Sequence, residues 1–179
     1  MSVDPTLALT ATLLLATIFA AAAVTKLRAL DQFAGVVENY ALLPAPLLPP
    51  VVRLLPPVEL AAALGLLLPV TRPYAAGVLL VLLLIFAAAM AINLRRGRHD
   101  IDCGCHLGLL KQRISWPLVA RNLMLAVCAL ALLPAGAMSR SLGGLDWFTV
   151  IAATSAMLLL YGAVGRLFGL MPVGLKGAG

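Results

Sequence analysis

A polytopic, all-α bundle of membrane-spanning helices is the expected architecture of this 179-residue chain, on three grounds. Apolar residues make up 63% of it and charged residues 11%, with a mean hydropathy of +1.06; a soluble domain is about half apolar and about a quarter charged. A soluble fold of this size has too little interior for so much Leu, Ala and Val, so the excess faces lipid. The second ground is length: the apolar residues fall into five blocks close to the roughly 20 residues that cross about 30 Å of hydrocarbon as a helix. The third is pattern, because the blocks are continuous runs and lack the alternation of a barrel strand. A soluble enzyme, a secreted disulfide scaffold, a disordered tail and a nucleic-acid binder are excluded. The lipid bilayer is the first partner.

The first span is expected over 6–24, ahead of Lys26 and Arg28. Asp4 and the absence of Lys or Arg before it, with positive charge after it, argue for a span and against a cleaved signal. Over 31–43, Phe33, Val36, Val37, Tyr40 and Leu43 recur at helical spacing while Asp31, Gln32, Glu38 and Asn39 fill the other face. That predicts a short amphipathic helix lying at the interface, ended by the prolines that follow. The second span is expected over 54–70, with Pro56-Pro57 near its start and Thr71-Arg72-Pro73 at its end. The third, 73–94, carries no charge and is closed by Arg95-Arg96-Gly97-Arg98; the fourth, 116–134, opens on Trp116-Pro117; the fifth, 147–164, is closed by Arg166. Pro73 and Pro117 suit helix starts, where a missing N–H costs nothing. Tyr74, Trp116 and Trp147 suit span ends. All five belong to one membrane domain, 1–179.

The net charge of +6 is a topology signal in such a chain. With five spans, Arg72 and Arg140 fall on one side and the other eleven of the 13 basic residues on the opposite side. The positive-inside rule then puts the N-terminus outside, and the 95–115 loop and the C-terminus in the cytoplasm.

Chemistry concentrates after the third span, in Arg95-Arg-Gly-Arg-His-Asp-Ile-Asp-Cys103-Gly-Cys105-His106. Two thiols separated by one Gly can close a small strained disulfide ring, which is easily reduced and suits exchange better than stapling. The neighbouring Arg and His side chains favour the reactive thiolate. Two alternatives stay open: ordinary reduced loop cysteines, or a metal site using His99, Cys103, Cys105 and His106. A c-type haem would need C-x-x-C-H, and no cofactor is expected. Cys128, in the middle of the fourth span, reads as a small buried hydrophobe.

Glu59 is the one acid inside an expected span. A carboxylate in lipid must face the bundle and find a partner, and Lys26 and Arg121 sit at matching depth. Simple snorkelling behind Pro57 is the alternative. Asn93, Arg121 and Asn122 mark helix ends near the cysteine loop.

These residues resemble the methylamine utilisation protein MauE family, within the wider DoxX-like membrane proteins, over about residues 10 to 133. The DoxX-like half is Lys26-Leu27, Phe33, Tyr40-Ala-Leu-Leu-Pro44, Pro57-Val-Glu59-Leu60 and Gly65. The more specific half is Asn93-Leu-Arg-Arg-Gly-Arg-His-Asp-Ile-Asp-Cys-Gly-Cys105, then Ile114-Ser115 and Arg121-Asn122. The resemblance implies a four-helix core, with the fifth span and the Gly-rich tail outside it. It also implies a role in maturing the disulfide-rich small subunit of methylamine dehydrogenase, beside a thioredoxin-like partner. Cys103 and Cys105 would then be the exchanging pair acting on a disulfide-containing client, with Glu59, Arg121 and Lys26 structural or proton-handling. Maturation of an exported client calls for thiols outside, whereas the charge count turns them inward; the charge asymmetry is the stronger constraint. A non-redox membrane scaffold or carrier subunit is the other class of function.

Overall fold

The computed structural model describes residues 4–103, 113–134 and 143–170, with side chains of the last helix described as far as residue 164. Among the described residues six α-helices follow one another: α1 Pro5–Arg28, α2 Leu30–Tyr40, α3 Leu48–Leu67, α4 Arg72–Arg95, α5 Trp116–Leu132 and α6 Gly144–Leu170, with a 3-10 turn, Ala45–Leu47, leading into α3. Four stretches are long and apolar enough to cross a membrane: Pro5–Arg28, Ala45–Leu67, Arg72–Arg95 and Gly144–Val164. The fifth, α5, is equally apolar but has 17 residues, about 26 Å against some 30 Å of hydrocarbon.

Local chemistry sets each end. Asp4 accepts a hydrogen bond from the Thr6 N–H at 2.8 Å and caps α1, with Pro5 in its first turn. The helix runs on to Arg28, past the expected end at 24, which carries Lys26 inside its last turn. The interfacial helix stops at Tyr40, short of the expected 43, because Ala41 turns left-handed (φ 48°). Helix α3 starts before the expected 54, with Pro49 and Pro50 in its first turn, and passes through Pro56 and Pro57. Those prolines supply no N–H to the carbonyls one turn back, a loss membrane helices accommodate through their neighbours. Helix α4 ends in a Schellman turn: Gly97 takes φ +74°, its N–H donates to the Leu94 carbonyl at 3.1 Å, and the Arg98 N–H donates to the Asn93 carbonyl at 3.0 Å.

The bundle is organised around α1, which packs against α2, α3, α5 and α6, while α4 joins α3 to α5. The main core is Leu15, Leu66, Leu79, Leu83 and Leu132, interleaved with Ala63, Ala76 and Ala129. Small residues let helices approach closely where no water drives them together. At Gly65 an added Cβ would lie 3.2 Å from the Ala75 Cβ, so the α3–α4 contact depends on the missing side chain. That end is closed by side chains from the turn: Thr71 Oγ1 donates to the Gly65 carbonyl at 2.7 Å, and the buried Arg72 donates through Nε to the Leu66 carbonyl at 3.2 Å. Both satisfy carbonyls left open at the C-terminus of α3.

At the opposite end a smaller core of Met90, Leu94, Ile101, Cys103, Ile114 and Leu118 sits under the α4–α5 connection. The two arms of that connection pair across an antiparallel bridge between Asp102 and Arg113, with the Ile114 N–H donating to the Ile101 carbonyl at 2.8 Å. An exposed ion pair, Arg113 to Asp100 at 2.7 Å, adds to it.

Candidate functional site

The end of the bundle that carries the bridge also gathers four buried polar residues, Lys26, Glu59, Asn93 and Asn122. Lys26, from the last turn of α1, meets Glu59, eleven residues into α3, with Nζ 2.5 Å from Oε1 and 2.7 Å from Oε2. Lys26 is 5% exposed and Glu59 is fully buried. Charges are this deeply buried only when paired and hydrogen-bonded. The pair crosses from one helix to another, and removing one member would strand the other at a cost of about 3–5 kcal/mol. The Lys26 ammonium also lies 5.3 Å from the Phe33 ring centroid and 5.2 Å from that of Phe86, close enough for cation–π attraction. Those two rings come from α2 and α4, so one ammonium on α1 touches three other helices of the bundle.

Arg121 lies in the first turns of α5 with its guanidinium over the Tyr161 ring at 4.6 Å, which ties α5 to α6. Next to it Asn122 is 4% exposed, and its Nδ2 finds no partner among the described residues. A void of about 20 Å³ lies between Lys26, Glu59, Asn122 and Tyr161. It is large enough for one water molecule, the usual partner of a buried amide of this kind.

Asn93, fully buried near the end of α4, does three things at once. Its Nδ2 donates to the Tyr40 and Ala89 carbonyls, each at 3.1 Å, and its Oδ1 accepts from Arg98 at 3.2 Å. It thereby fixes the C-terminus of the interfacial helix, where carbonyls lack helical partners, to the root of the cysteine loop.

Cys103 is 6% exposed, packed in the smaller core, and lines a cavity of about 370 Å³ between α2, α3 and α4. Lys26, Phe33 and Phe86 line the same cavity. Cys105 and His106 fall outside the described residues. His99 is exposed, and among the described residues no cluster of three His, Cys, Asp or Glu could hold a metal ion. Cys128 is half-buried against the main core, about 18 Å along α5 from its start at Trp116. Sequence reasoning singled out Lys26, Glu59, Asn93 and Cys103 but passed over Phe86 and Tyr161, which read as ordinary membrane aromatics. It also passed over Arg72, whose partner is a carbonyl and leaves no mark in the sequence.

Fold and site together define a polytopic helical membrane protein with a buried ammonium–carboxylate pair and a cavity-lining cysteine at one end. The family model described as methylamine utilisation protein MauE matches residues 4–135. The chain is 49% identical over 159 residues to the methylamine utilization protein MauE of Paracoccus versutus, covering 87% of this chain and 84% of that protein. To its namesake in Paracoccus denitrificans it is 42% identical over 152 residues, 83% and 81% of the two chains. To that of Methylorubrum extorquens it is 44% identical over 147 residues, 82% and 79%. The chain belongs to the MauE family. No solved structure matches it.

Proposed function

We propose that this chain serves methylamine utilisation as a membrane thiol–disulfide relay, with Cys103 and Cys105 as the exchanging pair and a thioredoxin-like protein as its partner. The name shared by its relatives supports the first half. The observation that carries the second is the burial of Cys103 at the wall of a cavity, at the root of a loop whose arms are bridged. A sulfur held there is shielded from bulk water yet belongs to a segment tied at both ends.

In the exchange, a thiolate of the reduced partner attacks the Cys103–Cys105 disulfide, giving a mixed disulfide and one released thiolate. The partner's second thiol resolves it, leaving the partner oxidised and the pair as two thiols. Two electrons pass from partner to pair, and the oxidised partner goes on to the client's thiols. Lys26 and Glu59 tie α1 to α3 inside the bundle, and Arg121 braces α5 on Tyr161. The charge asymmetry orients this end toward the cytoplasm, a thiol label that cannot cross membranes being the check on orientation.

The test is trapping. Cys103→Ser and Cys105→Ser are compared with the double variant in cells. In one single variant the remaining thiolate is expected to attack the oxidised thioredoxin-like protein and accumulate as a reductant-sensitive mixed disulfide, with no second cysteine in the pair to release it; the double variant should accumulate none. Absence of any trapped partner would make a non-redox scaffold the better account. Purified protein carrying zinc, with His106→Ala as damaging as loss of either cysteine, would replace the relay with a metal site.

A further inference from the structure

The relay leaves the pair as two thiols and so requires an oxidant, and the cavity beside Cys103 has the features of its binding site. At about 370 Å³ it lies at the small end of the range for small-molecule pockets, roughly 300–1,000 Å³. That accommodates one substituted ring and the start of a chain; it is too small for the two chains and headgroup of a phospholipid. Its rim carries Ile85 and Leu43, which are 54% and 36% exposed, so the approach is from apolar surroundings.

The polar atoms of the wall narrow the chemistry. Apart from Tyr40 and the Met90 thioether, the described lining side chains offer only Lys26 Nζ and Cys103 Sγ. An ammonium has three N–H donors. Two of those of Lys26 go to the two oxygens of Glu59, and among the described residues the third finds no acceptor. The Lys26 ammonium already faces the Glu59 carboxylate, so a fatty-acid carboxylate would enter beside a negative charge as well as a positive one. A neutral molecule with a carbonyl oxygen does gain a hydrogen bond. Phe33 and Phe86, which line the cavity and flank Nζ within about 5.3 Å, offer faces for a flat ring beside that donor.

We infer that this cavity binds a lipophilic quinone, its carbonyl accepting from Lys26 and its ring lying among Phe33, Phe86 and Cys103. The binding site stands on the cavity itself; the electron transfer rests on the relay reading. In that transfer the two S–H bonds of Cys103 and Cys105 break and one S–S bond forms. Two electrons and two protons pass to the quinone, whose two carbonyl oxygens become hydroxyls. The pair is thereby returned to the disulfide that the thioredoxin-like partner consumes.

The full chain, purified in detergent, is titrated with decylubiquinone and, in parallel, with palmitate. Saturable one-to-one binding of the quinone is expected, weakened at least about tenfold, or 1.4 kcal/mol, by Ala89→Phe, which projects a ring into the cavity. Palmitate binding of equal strength, or full quinone affinity in Ala89→Phe, would overturn the site. Should Ala89→Phe fail to fold, Phe86→Leu serves, with weaker quinone binding expected and unchanged binding counting against the site. The dithiol form of the natural sequence should reduce the bound quinone, read as loss of quinone absorbance. A quinone that binds and is not reduced keeps the site and defeats the relay; a relay that traps its partner without binding quinone does the reverse.

Discussion

Each end of the bundle buries a cation, and the two are hydrogen-bonded in different ways. At the α3–α4 turn, Arg72 donates to the carbonyl of Leu66, six residues back along the chain. At the cysteine end, Lys26 meets the carboxylate of Glu59, thirty-three residues away on another helix. The first closes the C-terminus of α3, where unsatisfied carbonyls and the helix dipole both attract positive charge. The second spans two helices, is flanked by two aromatic rings, keeps an N–H without an acceptor among the described residues and borders a cavity. A cation held by nearby carbonyls stitches a turn, whereas one held by a distant carboxylate beside open space has the makings of a site.

The comparison is most exposed at Glu59. Glu59→Lys sets two ammonium groups together without water and should cost at least about 3–5 kcal/mol, read as a large fall in the detergent melting midpoint. Glu59→Gln should fold better. The double variant Lys26→Leu/Glu59→Leu should regain most of the stability, since apolar replacement of a buried pair is often neutral, but should no longer bind decylubiquinone. A double variant that binds as the natural sequence does would reduce the pair to a stitch like the one at Arg72. Arg72→Met is the intermediate case: losing a hydrogen bond from a charged donor should cost about 1.5–3 kcal/mol, while partner trapping and quinone binding stay unchanged. If either function falls in step with Lys26 variants, the two ends are not distinct. The smallest effect is expected at Arg113, whose bond to Asp100 is between exposed groups. Arg113→Ala should shift the melt by no more than the roughly 0.2–1 kcal/mol typical of surface pairs. A larger loss would show that the bridge at the loop root depends on it.

How much of this was legible in the sequence depended on whether the cause lay in side chains or in shape. The apolar runs of α1 and α4 announce themselves, because nothing but a lipid-facing or buried helix fits them. Glu59 and Lys26 stand out since a charge within an apolar run must find a counterpart. The start of α3 was hidden by Pro56-Pro57, which ends a helix in water but not where neighbouring helices supply the missing support. The Arg72 contact and the Asn93 contacts go to carbonyls, which every residue owns and no sequence displays. The cavity was illegible for a different reason: Phe33, Leu82, Phe86 and Cys103 share a wall only after α2, α4 and the segment that follows α4 have been set against one another.

Asn93 has a consequence for the entropy of the site. Helix α2 has eleven residues, below the roughly 12–15 at which an isolated helix becomes even marginal in water. Its persistence must come from what holds it. Immobilising one asparagine side chain costs no more than about 2 kcal/mol of rotamer freedom. That single loss secures three hydrogen bonds linking the end of α2, the last turn of α4 and Arg98. Three separate side chains would each have forfeited their own torsional freedom for the same result. The wall of the cavity and the root of the cysteine loop are therefore ordered by one shared act of immobilisation.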